Sequence, residues 1–233
     1  MRLAAHVRAC ECDGGSVILL DLRHNQYVGI GETTTQALAG HVEGWPTSSA
    51  RVHLPLDAAA SSDAAQRLLS RGLLTNSLFD QHPGPIIEEA SATLDTESGS
   101  THQGIGALRL AQVLKSVAIA TWWMRSRSLQ AIALAVTARR ERLRGPKSDS
   151  LDVMRAGTVA YEKLRPFVFT AREKCLLDSL ALVGFLATEG AFPRWVIGVR
   201  TCPFGAHSWV QSGHTVLNDQ HEYVRQFRPI LVV

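Results

Sequence analysis

Three short runs rich in apolar and β-branched residues open the chain, Leu3–Arg8, Ser16–Asp21 and Gln26–Ile30, separated by Asp13-Gly-Gly15 and by Arg23-His-Asn25. Glycine and asparagine accept the backbone angles of tight turns, so the runs read as three strands of a meander. The period then changes. Glu32–Gly40 and Ser62–Gly72 read as short helices, each ending on a glycine, the second with Asp63 near its start. A meander followed by helices predicts a small winged-helix-like α+β unit over residues 1–80.

From 81 to 104 the sequence turns to Pro, Gly, Ser and acidic residues with little periodicity, the composition of a linker. Helical spacing resumes at Ile105. Leu110, Val113, Leu114 and Val117 form an apolar stripe, with Arg109, Gln112 and Ser116 on another face. The pattern passes Trp122 and Trp123 and runs to a basic end, Arg139–Arg144, closed by Gly145-Pro146. A solvated helix terminus is the plain reading of that cluster; docking of a partner or RNA is the other. Further on, Thr170–Leu186 is an apolar helix-like run, and the segments 207–210 and 215–219 read as strands joined in a hairpin at Gly213. Residues 105–233 thus make a second domain.

Composition narrows the classes. At 233 residues and 45% hydrophobic, the chain can bury a core as one large domain or two small ones. A formal charge of +3 argues only weakly for acidic partners and does not imply nucleic-acid binding. Four cysteines, with Cys10 and Cys12 one residue apart, fit neither a secreted disulfide framework nor paired zinc ligands. No metal or other cofactor is expected. The N-terminus lacks the apolar core of a signal peptide and no apolar run spans a bilayer, so a soluble, cytoplasmic protein is expected. Gly104-Ile-Gly106 is a helix entrance without the rest of a phosphate-binding loop.

The candidate chemistry lies in the last third. Thr170 followed by Glu173 forms a capping-box pattern, which places Cys175 in the first turns of a helix, where the dipole and free N–H groups favour a thiolate. A hairpin centred on Gly213 sets His207 opposite Asp219 and Trp209 opposite Leu217. The aspartate can then orient the imidazole and stabilise its charged form, leaving the other ring nitrogen for the thiol. Nucleophile, base and orienter together suit acyl transfer. Alone, Cys175 reads as an inert core residue; the histidine and aspartate change that reading. His214 falls at the turn and reads as solvated, His221 beside Glu222 is a second-choice base, and Cys202 reads as incidental.

A cysteine at the head of an apolar helix, then His and Asp on consecutive strands, resembles the papain-like and transglutaminase-like cysteine superfamily. From about Val153 onward, Cys175-Leu-x-x-Ser-Leu, Gly205-Ala-His207-Ser-Trp-Val and Asn218-Asp219 resemble the leader-peptidase half of lasso peptide biosynthesis B proteins. By that resemblance Cys175, His207 and Asp219 are a catalytic triad. Phe169 stands about where papain-like enzymes carry a glutamine, and it cannot donate to an oxyanion. Near the N-terminus, Leu19–Ile30 with its Asp21-Leu-Arg and Tyr27, the helices after it and Arg71-Gly-Leu-Leu74 are similar to PqqD-like elements that bind leader peptides. The fold implied is α+β, a winged-helix-like recognition domain followed by a papain/transglutaminase-like peptidase domain.

The function implied is leader removal in lasso peptide maturation. The precursor's leader would add as a strand along the edge formed by Gln26, Tyr27, Val28 and Ile30, leaning on the helix carrying Arg67, Leu68 and Arg71. The second implied partner is an ATP-using, asparagine-synthetase-like cyclase that closes the freed core amine onto a side-chain carboxyl. Two other classes stay open: an acyltransferase or transglutaminase using the same triad, and a catalytically silent peptide-binding adaptor.

Overall fold

The computed structural model describes residues 1–46, 58–77, 86–95, 106–143, 145, 150–168 and 174–233. The chain forms two compact units. The first is Met1–Ile86 with Val199–Gly205 and Arg228–Ile230; the second is Ile87–Gly198 with Ala206–Phe227 and Leu231–Val233.

In the first unit, β1 (Arg2–Leu3) leads to β2 (Val7–Glu11), β3 (Val17–Asp21) and β4 (Gln26–Ile30). The last three form an antiparallel meander, with Leu19 opposite Ala9 on one side and Val28 on the other. The expected first strand, Leu3–Arg8, is in fact two pieces. The chain turns between them, with Val7 N–H bonding back to the Ala4 carbonyl, and β1 pairs instead with β5 (Leu74–Thr75). Helices α1 (Glu32–Ala39) and α2 (Ala58–Ser70) close the unit. One face of the meander, carrying Val17, Leu19 and Ile30, packs with Leu38, Ala65 and Leu68 into a buried core. Gly72 takes φ 70°, the left-handed conformation that lets the chain leave α2 for β5. Among the described residues β4 pairs with β3 alone, which leaves its other edge open.

The second unit holds α3 (Ala107–Ser126), α4 (Leu129–Leu143), α5 (Leu151–Leu164) and α6 (Cys175–Leu186). A mixed sheet follows in the order β10-β7-β8-β9-β6, from β6 (Ala92–Thr93), β7 (Arg194–Thr201), β8 (Phe204–Ser212), β9 (Thr215–Val216) and β10 (Arg228–Val232), with the short α7 (His221–Val224) before β10. Within the stretch read as a linker, β6 pairs in parallel with β9, Ala92 beside Thr215 and Thr93 beside Val216.

Helix α6 is apolar on nearly every side, and α3 packs along it. The apolar stripe expected on α3 is displaced. Val113, Ser116, Val117 and Ala120 are buried, whereas Leu110 is 38% and Leu114 46% exposed. The buried face is the one turned to α6, where Ser116 lies at ordinary contact distance, 3.7 Å, from the place a Cβ on Gly184 would take. The helical pattern also breaks once more than its periodicity indicates. Arg127 is extended, and Ser128 Oγ accepts the N–H of Ala131 at 3.3 Å, capping α4 as a separate helix. Among the described residues, no helix is long and apolar enough to cross a membrane.

Candidate active site

Cys175 is the first residue of α6, closer to the helix end than a capping box at Thr170 requires. Phe169, Thr170 and Glu173 lie outside the described residues. The first full helical bond behind the cysteine runs from the Asp178 N–H to the Lys174 carbonyl at 2.8 Å. N–H groups in this first turn have no carbonyl partner within the helix, which makes them donors for negative charge at or near the sulfur.

The hairpin opposite is built differently from its sequence expectation. Its register sets Gln211 beside Val216 and Ser212 beside Thr215, one residue away from a hairpin centred on Gly213. Gly213 is instead the first residue of a two-residue turn, with φ 54°. Continued as a regular ladder, that register would set Asp219 opposite Ser208 and turn it away from His207. The ladder does not continue. After Val216 the chain bends, Leu217 N–H still bonds the Val210 carbonyl at 2.9 Å, and Asn218 Oδ1 takes the Val210 N–H at 2.8 Å. Released from the strand, Asp219 places Oδ2 at 2.6 Å from His207 Nε2, while its Oδ1 accepts the Gln220 N–H. The expected pair forms, by a bend rather than by cross-strand opposition.

With Nε2 committed to Asp219, Nδ1 is the ring nitrogen left for Cys175. The imidazole is held among aromatic rings, stacked on Trp209 at 6.3 Å between centroids and meeting Tyr223 at 5.1 Å and Phe227 at 5.3 Å. Gly198 makes room for this arrangement, since a Cβ there would lie 2.8 Å from the Trp209 ring.

The electrostatics favour an ion pair. Burial disfavours charge on the Cys175 sulfur, but the hydrogen bond with His207, the Ser208 N–H, the imidazolium charge and the Leu176 N–H outweigh it and bring the thiol below its ordinary value. Burial likewise opposes charge on His207; its bonds to Asp219 and to Cys175, with the charges of both, raise it to about 9. The thiolate and imidazolium stabilise one another, so their titration belongs to the pair.

Two buried polar clusters fix these groups. Ser179 Oγ lies 2.7 Å from Ser208 Oγ, and Trp195 Nε1 donates to both, tying α6 to β7 and β8 next to the cysteine and histidine. Asp178, 3% exposed, accepts from Tyr161 Oη at 3.2 Å, Arg165 Nη1 at 3.3 Å and Asn218 Nδ2 at 3.1 Å. Asn218 therefore joins α6 to β8 and fixes the bend that presents Asp219. Sequence reasoning missed Tyr161, Arg165, Asp178 and Asn218 in this role. Two signals were present: a carboxylate inside an otherwise apolar helix, three residues past the cysteine, and an amide directly before the aspartate.

His214 is exposed, its Nδ1 2.9 Å from the Glu89 carbonyl. His221 has Thr93 and Glu222 as partners, and Cys202 is exposed. Among the described residues, no group of three or more His, Cys, Asp or Glu side chains could hold a metal.

Of the residues expected along the leader path, Gln26 is exposed, and Tyr27 and Val28 are partly buried. Tyr27 meets Phe204 edge-on, with centroids 5.7 Å apart. Arg67 and Arg71 are exposed, the former paired with Asp63 at 2.6 Å. Ile30 and Leu68 do not face outward: they are 9% and 5% exposed because the core between sheet and helices claims them.

A family model described as the transglutaminase-like superfamily matches residues 86–232, reaching well upstream of Val153. The microcin J25-processing protein McjB of Escherichia coli is 46% identical over 48 residues, 21% of this chain and 23% of that protein, so the match spans about a quarter of that relative. No solved structure matches.

Proposed function

We propose, from the premise that this chain belongs to the transglutaminase-like superfamily, that it is a cysteine peptidase that removes the leader from a lasso-type precursor peptide. The observation that carries this reading is the approach of Cys175, at a helix start, to an imidazole whose far nitrogen is held 2.6 Å from Asp219. The likeness to a protein named for processing microcin J25 supports the substrate class. Residues 1–80 act as a winged-helix-like, PqqD-like leader-recognition domain, residues 81–104 link it, and residues 105–233 form the peptidase domain. The open edge of β4 supports the recognition role.

In this mechanism the Cys175 thiolate attacks the carbonyl carbon at the leader–core junction, and the oxyanion is met by first-turn N–H groups of α6, that of Cys175 among them. The His207 imidazolium gives its proton to the departing core amine as the C–N bond breaks, leaving the leader as a thioester on Cys175. Neutral His207 then takes a proton from water. The resulting hydroxide attacks the thioester, releasing the leader with a free carboxylate and restoring the thiolate–imidazolium pair. Asp219 keeps the ring oriented and stabilises its charge without itself moving a proton. The freed core amine is the nucleophile for ring closure, so an ATP-using, asparagine-synthetase-like cyclase is the partner that consumes it.

The family name itself favours a second reading, in which an amine rather than water resolves the thioester. Incubation with a full-length precursor and mass spectrometry of both fragments tests the choice. Hydrolysis predicts a leader ending in a carboxylate and a core with a free amine. A leader joined to an added amine assigns the protein to acyl transfer, and an intact precursor with retained binding makes it an adaptor.

A further inference from the structure

We propose that the cleft between α3, α4 and α6 is a binding site for a small carboxylate carrying an apolar tail. The cleft is partly open to solvent and holds about 100 Å³ of water-sized space, room for a slender chain rather than a bulky ligand. Leu180, Val183 and Ala187 form an apolar floor, and Ile119, Trp123 and Phe192 are among its walls. Three cations also line it, Lys115 on α3 and Arg139 and Arg140 on α4. None of the lining residues belongs to the Cys175–His207–Asp219 group, so the proposal does not depend on the peptidase reading.

The charge pattern specifies the ligand's head. Over residues 107–143 the sequence carries one acid, Glu141, against arginines on both helices and Lys115 on α3. Glu141 is exposed, and Glu189, beyond α6, is held by Arg109 at 3.2 Å. Arg140 is buried and donates to the Pro193 and Val233 carbonyls at 2.6 and 3.0 Å, a bracing role. Arg139 differs. It is half-buried, donates to the Gly184 carbonyl at 3.3 Å, and is disfavoured as a cation first by burial and then by Arg142. A guanidinium in an apolar cleft whose hydrogen-bond partner among the described residues is a carbonyl offers a carboxylate charge-assisted bonds. The floor supplies burial for a tail, and its concavity suits a single chain better than a flat bilayer.

Calorimetric titration of the full chain with decanoate, below its micellar concentration, tests the site, with decanol and decyltrimethylammonium in parallel. Saturable one-to-one binding of decanoate is expected, at least tenfold tighter than either comparator and at least tenfold weaker in Arg139→Gln. Ile119→Trp, a change at the partly exposed rim, fills the cleft and should abolish binding even if Arg139→Gln does not fold. Equal affinity for decanol, unchanged binding in either folded variant, or binding only to phosphatidylglycerol vesicles would overturn the proposal.

Discussion

In the proposed function, the meander edge at β4 and the Cys175 site at the head of α6 would recognise a peptide in opposite ways. The edge is made of backbone: any residue except proline offers its N–H and carbonyl, and the side chains along β4 range from exposed Gln26 to buried Ile30. The α6 site is made of side chains, and each is held by further side chains, buried Ser179, Ser208 and Trp195 on one flank and buried Asp178 with partly buried Asn218 on the other. Backbone recognition tolerates substitution and fails when pairing is blocked. Side-chain chemistry fails at the loss of one atom and weakens when its supports go.

That contrast orders the expected effects. The largest is at the sulfur: Cys175→Ala or alkylation should reduce precursor cleavage by about 10⁴-fold or more, to background, while a chelator leaves it intact. Chelator sensitivity in an active Cys175→Ala variant would remove the nucleophile. His207→Ala should follow closely. Asp219→Asn should lose less, because it orients the ring and does not transfer the proton.

Next comes the edge. Val28→Pro deletes an N–H, as does Tyr27→Pro, and neighbouring N–H groups point to opposite sides of a strand, so one of the two should block leader pairing. That variant should cleave full precursor about 10- to 100-fold more slowly at limiting concentration, since a tethered leader raises local substrate to roughly millimolar. A short junction peptide without a leader should be cut at the wild-type rate. Equal losses on both substrates would mean that the unit had unfolded.

The supports rank below. Asn218→Ala frees the Val210 N–H and removes a partner of buried Asp178, so stability should fall by about 1–3 kcal/mol. Cleavage should fall roughly tenfold, while Cys175 remains open to alkylation. An unchanged rate with a lowered melting temperature would make Asn218 a purely structural residue.

The smallest effect is in pH. His207 is raised from 6.5 to about 9, so its charged form contributes stability that is complete below 6.5 and lost as pH rises through about 9. The Cys175 thiol is lowered, so the thiolate contribution is lost as pH falls through its shifted value. The ion pair, and the cleavage rate with it, should persist between these limits, with the alkaline limb near 9. Asp219→Asn removes an interaction that raises His207 and should move that limb down. A limb that stays in place would mean that Asp219 does not set the charge of the ring.

The same contrast explains what the sequence disclosed. Cys175, His207 and Asp219 could be picked out as candidates because acyl-transfer chemistry uses few residue types and their order along the chain is informative, and the structure brings His207 to Asp219 and to Cys175. The way they meet was not legible. A one-residue change of turn at Gly213 reverses every facing in a ladder, and only the bend held by Asn218 restores the pair. On α3, periodicity could not tell which residues face α6: polar Ser116, next to Gly184, is buried, whereas Leu110 and Leu114 point outward. In the meander β3 and β4 followed from their turns, whereas the expected first strand divides into β1 and β2, and Leu68 could not be assigned to the core or the surface without knowing which side of α2 the sheet occupies.

The central claim, that Cys175 accepts the leader as a thioester, is tested most directly by intact-protein mass spectrometry of acid-quenched reactions with full-length precursor. The expected result is a transient species heavier than the protein by the leader acyl group, mapped to Cys175 and absent from Cys175→Ala, which should also leave the precursor uncut. Cleavage of the precursor by Cys175→Ala, or an adduct mapped to another residue, would contradict it.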